Sequence, residues 1–145
     1  MRIREAVFAG AVVIAALGIL PGPALAGEGG TRVSVAGGAY TNVRAPVLRQ
    51  MLERKDFLFV NVHIPYEGEI AKTDAFIPFD KVEQELHRLP TKKDAKIVLY
   101  CMSDRMSTIA AGSLVGLGYT NVYNLQGGMV GWRKQGFPLV EAPRK

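Results

Sequence analysis

The chain has 145 residues, enough for one domain with a single core and too few for two ordinary ones. A hydrophobic fraction of 48% against 21% charged excludes a disordered chain. The formal charge of +5 is scattered, with no basic run interleaved with aromatics, so no nucleic-acid partner is expected; a weak attraction for small anions is.

Residues 1–26 read as an export signal. Arg2 and Arg4 make a basic start, residues 6–20 form an apolar run, Pro21, Gly22 and Pro23 break it, and Ala24-Leu25-Ala26 is the small-x-small pattern of a cleavage site. Cleavage after Ala26 would leave 16 basic and 12 acidic residues, a charge of +4, on a protein exported to a bacterial periplasm. The alternative is an uncleaved anchor, the one case in which a membrane enters; the run falls short of the ~18–20 apolar residues a span needs. The Gly-rich residues 27–39 predict a flexible leader, 40–140 the folded domain and 141–145 a tail.

Within the domain, short apolar runs alternate with helical patterns. A weak strand over 40–43 precedes a helix over 45–55, with Pro46 at its start and Val47, Leu48, Met51 and Leu52 on one face. Strands follow over 57–62, 96–100 and 121–125, each apolar and rich in β-branched or aromatic residues, as strands covered on both faces should be. Between and after them, helices are expected over 81–89 (Val82, Leu86 and Leu89 inward), 106–117 (ending at Gly118) and 128–135 (with Met129 and Trp132 in the core). The alternation predicts an α/β domain with a largely parallel sheet.

Cys101 is the only cysteine, which excludes an internal disulfide, and His63 and His87 are too few to complete a structural zinc site with it. An unpaired thiol in an oxidising compartment is either buried or used. Its setting is YCMSDRMST at 100–108, a strand end followed within a few residues by a helix start. Ligands of open α/β sheets bind beyond the carboxyl ends of the strands. Backbone N–H groups of such a loop, with the positive end of the helix, favour a thiolate and an anion beside it. Ser107 and Thr108 are placed to cap that helix or to donate into the loop.

Residues 100–111, GLGY at 116–119, LQGGMVGW at 125–132 and GFP at 136–138 together resemble the second half of a rhodanese domain. FLFVNVH at 57–63 and GEI at 68–70 resemble a shortened form of the first half, so the likeness spans 40–140. The resemblance implies a three-layer α/β fold with a central, mostly parallel five-stranded sheet flanked by helices. It further implies thiosulfate-type sulfur transfer without metal or organic cofactor. Cys101 would take sulfur from a small anionic donor such as thiosulfate. Met102, Ser103, Asp104, Arg105, Met106 and Ser107 would hold the persulfide until a thiol, cyanide or a protein accepts the sulfur.

The chain departs from the family pattern in three places. The usual loop runs Cys-x-x-Gly-x-Arg-Ser, whereas here Asp104 stands for the Gly, Met106 for the Arg, and Arg105 falls one place early. A carboxylate at Asp104 would oppose a thiolate unless Arg105 or solvent neutralises it. Asn61 and His63 stand where Asp and Arg are usual, and Glu69 replaces a common His; Asn61 and His63 are read as structural. Asp104 and the missing Arg at Met106 favour an alternative, a rhodanese-fold sulfur carrier or interaction module that does not turn over. A phosphatase or arsenate reductase is a further alternative, though its loop is longer and ends in Arg. The last is a plain core cysteine, against which the polar neighbours Ser103, Asp104 and Arg105 argue.

Overall fold

The computed structural model describes residues 29–141, so the expected export signal and residues 142–145 of the tail lie outside the described residues. Strands β1 (Gly30–Val35), β2 (Gly38–Val43), β3 (Leu58–Asn61), β4 (Ala75–Phe76), β5 (Ile97–Tyr100) and β6 (Val122–Leu125) form one sheet in the order β1-β2-β6-β5-β3-β4. Helices α1 (Ala45–Glu53), α2 (Arg105–Gly116) and α3 (Gly128–Lys134) flank it. All neighbouring strands are parallel except β1 and β2. The layered α/β arrangement is as expected, but the sheet has six strands rather than five.

The additional strand lies where the sequence predicts a flexible leader. Thr31, Val33 and Val35 alternate with polar residues, and Gly37 at φ +87° turns the chain so that β1 folds back on β2. Val33 and Val35 then pack against the core, which ordered glycine-rich sequence alone does not announce. A second difference falls on residues 81–89. Instead of a helix, this stretch forms turns and one 3-10 turn at Leu86–Arg88. Only Val82 and Leu89 are buried while Leu86 is exposed, and two anchors give a helix too little to pack against.

Alternation along the strands sorts side chains into two apolar layers. Ile97 and Leu99 of β5, with Val60 of β3, face Ala110, Ala111 and Leu114 of α2. Phe59, Val98 and Tyr100 face Leu48 and Leu52 of α1 and Met129 and Trp132 of α3. Each large side chain buried this way contributes roughly 1.5–3 kcal/mol. Because β5 lies between β6 and β3, all four of its residues are buried. The chain's far end is tied back as well: Glu69 and Val140 exchange two backbone hydrogen bonds of 2.8 Å.

Candidate active site

The central strand delivers the cysteine. Continuing the alternation of Ile97 and Leu99, Cys101 directs its side chain into the layer beneath α2. From there the chain turns into α2 at Arg105. The loop is held from behind by α3, whose first-turn amides lack partners in their own helix. Met129 N donates to Cys101 O and Val130 N to Met102 O, both at 2.9 Å. So close an approach requires glycine at 128, which has φ +56° and where a Cβ would lie 2.4 Å from Cys101 O.

On the sulfur side, Ser107 Oγ lies 3.3 Å from Cys101 Sγ and donates to Asp104 O at 3.0 Å. With its proton so committed, the hydroxyl oxygen accepts from the Cys101 thiol; beside a thiolate it can turn its proton to the sulfur. Among the described residues, no backbone N–H group from Met102 to Ser107 finds a protein acceptor. Thr108 N, which bonds to Asp104 O at 3.0 Å, closes the first helical turn. The carbonyls of Cys101, Met102 and Asp104 are thus occupied while the loop's donors are free, the arrangement an anion needs.

Ser103 and Arg105 are exposed, Met102, Asp104 and Met106 are half-buried, and Ser107 is fully buried. Met106 packs against the α2 layer. Arg105 does not neutralise Asp104: no ion pair joins the two. Instead the Asp104 carboxylate accepts from Gly127 N at 3.1 Å and from Asn124 Nδ2 at 3.3 Å. Burial raises the Tyr40 phenol above its ordinary value, and the charge of Asp104 raises it further. These partners of Asp104 lie twenty and more positions along the chain, and no local pattern pointed to them.

One expectation is corrected. The polar neighbours of Cys101 argued for an open sulfur, yet the residue keeps only 2% of its surface, among Val62, Leu99, Ala110 and Ala111. The small side chains of Ala110 and Ala111 let α2 lie close on the end of β5. Beside this loop, Asn61 and His63 tie the end of β3 to the segment that follows. Asn61 accepts from His63 N at 3.0 Å and donates to Gly68 O at 3.1 Å, while His63 Nε2 meets Glu67 Oε2 at 2.5 Å. Met129 and Trp132 are buried in the opposite layer, and His87 is exposed.

The rhodanese-like domain family matches residues 47–135. A sulfurtransferase of Allochromatium vinosum is 33% identical over 97 residues, which cover 63% of this chain and 86% of that protein. A tRNA uridine(34) hydroxylase of Photorhabdus laumondii is 31% identical over 107 residues, 67% of this chain, which spans only 30% of that longer relative. In three dimensions the chain is similar to the crystal structure of a rhodanese-related protein from Thermoplasma volcanium, with TM-score 0.59 and 25% identity over 70% of this chain and 98% of that one.

Proposed function

Because the chain belongs to the rhodanese-like domain family, we propose that it is a thiosulfate-type sulfurtransferase working through a persulfide on Cys101. The observation that carries this reading is the pairing of Cys101 Sγ with Ser107 Oγ in a loop whose N–H groups from Met102 to Ser107 are uncommitted. In the first step the Cys101 thiolate attacks the outer sulfur of thiosulfate. A new S–S bond forms, the donor's S–S bond breaks, and its electron pair leaves with sulfite. The persulfide anion then sits against the loop donors and the start of α2. In the second step a thiol, cyanide or a protein nucleophile attacks the outer sulfur, and Cys101 departs as thiolate.

A second reading, a sulfur carrier or interaction module without turnover, is favoured by the 2% exposure of Cys101 and by Met106 where an Arg is usual. Mass spectrometry after incubation with thiosulfate separates the two. The enzyme gains one sulfur on Cys101, releases sulfite in step, and loses the sulfur to cyanide or a thiol; a non-transferring module does not cycle. In Cys101→Ser both sulfite release and the added mass are expected to vanish. Activity that survived this substitution would end the persulfide reading. Residues 1–26 support a place outside the cytoplasm, tested by fractionation and by whether the mature chain starts at Gly27.

A further inference from the structure

Asp104 precedes the first residue of α2, where a carboxylate ordinarily accepts a hydrogen bond from the second or third amide of its own helix. Here no side chain caps α2. The carboxylate turns the other way, Oδ2 to Gly127 N at 3.1 Å and Oδ1 to Asn124 Nδ2 at 3.3 Å. It lines a cleft of about 340 Å³ together with Arg44, Gln126 and Gly127. The same Asn124 nitrogen donates to Asn42 Oδ1 at 2.9 Å, which carries the contact on to β2. The backbone of Asp104 serves the sulfur, its carbonyl accepting from Ser107 Oγ, which in turn meets Cys101 Sγ.

Resting on the sulfur-transfer reading above, we propose that Asp104 is a positioning residue: its carboxylate braces the Cys101 loop against Gly127 and Asn124 and so leaves the first-turn amides of α2 open to the sulfur. The aspartate acts on Cys101 in two ways of opposite sign. As a charge it disfavours the thiolate. As a brace it favours the thiolate, by holding Ser107 and the loop donors in place. Removing the side chain therefore tells the two apart. An asparagine at this position loses the charge but keeps an oxygen for Gly127 N.

The experiment compares the full chain with Asp104→Ala and Asp104→Asn at one near-neutral pH. Ultraviolet thiolate absorbance reads Cys101 directly, since it is the only cysteine. The thiolate fraction is expected to fall severalfold in Asp104→Ala and to hold at or above the parent level in Asp104→Asn. A thiolate fraction that is unchanged or raised in Asp104→Ala overturns the proposal, because the carboxylate would then act through its charge or not at all. Circular dichroism checks that each variant folds. If Asp104→Ala does not, hydrogen exchange at the Gly127 amide of the parent chain decides: slow exchange supports the brace, and exchange as fast as in an open loop overturns it. None of these measurements uses a sulfur donor, so a failure of sulfur loading on Cys101 is read separately.

Discussion

A hydroxyl that accepts from a thiol and donates to a carbonyl can change partners as the thiol ionises. Ser107 is such a group, fully buried between Cys101 Sγ and Asp104 O. A hydrogen bond to a charged partner is worth roughly 1.5–3 kcal/mol. Ser107→Ala is therefore expected to lower kcat/KM for sulfite release about tenfold or more, ~1.4 kcal/mol at least. An unchanged kcat/KM would show that the hydroxyl serves only the helix start. Cys101 and Ser107 were both legible in the sequence, because a strand-to-helix loop with these residues is a local pattern. The burial of Cys101 was not, since it depends on how closely Ala110 and Ala111 bring α2 to the sheet.

The loop that carries the sulfur takes its shape from another element. Met129 N and Val130 N, at the start of α3, hold Cys101 O and Met102 O, and this contact needs a residue without a side chain at 128. Gly128→Ala would place a Cβ 2.7 Å from Met102 O on a backbone with φ +56°. A left-handed non-glycine residue alone costs on the order of 1–3 kcal/mol. The variant is expected to lose at least about that much stability in urea unfolding and to load less sulfur on Cys101 as α3 is forced from the loop. Stability within about 0.5 kcal/mol of the parent would refute the contact. The strands β3, β5 and β6 and all three helices were legible within a residue or two, because their apolar runs and stops are strong and local. β4 escaped because two residues carry no periodicity, and β1 because its Thr31, Val33 and Val35 alternation is masked by surrounding glycines. The Asn42, Asn124 and Asp104 contacts join three separate elements, so no local spacing could reveal them.

At the scale of the whole molecule, Tyr100 ties the central strand to the segment between β3 and β4. Its hydroxyl accepts from Ile70 N at 3.0 Å and, because Thr73 Oγ1 donates to Ile70 O, donates to Thr73 Oγ1 at 2.7 Å. Burial pushes the phenol well above its ordinary value, more than its hydrogen bonds to Thr73 and Ile70 lower it. A raised folded-state value means that the proton is held more tightly in the folded chain. Its stabilising contribution is complete below the unfolded tyrosine value of about 10 and is lost as pH rises above it, by ~1.4 kcal/mol per pH unit. Denaturation from about pH 9 to about pH 11 should therefore show a steeper loss for the parent than for Tyr100→Phe. Parallel loss in the two chains would refute the assignment. At lower pH the variant starts below the parent by roughly 1–3 kcal/mol, since Ile70 N loses its buried acceptor.

The Glu69–Val140 bridge has a mechanical consequence. A load applied through the two ends of the described chain meets β1 at an edge of the sheet and, near the other end, this pair of amide bonds outside the sheet's strands. Tension is borne by those contacts before it reaches β5, so a molecule tethered at either end, to a surface or to a fused partner, keeps its sulfur-bearing loop unloaded.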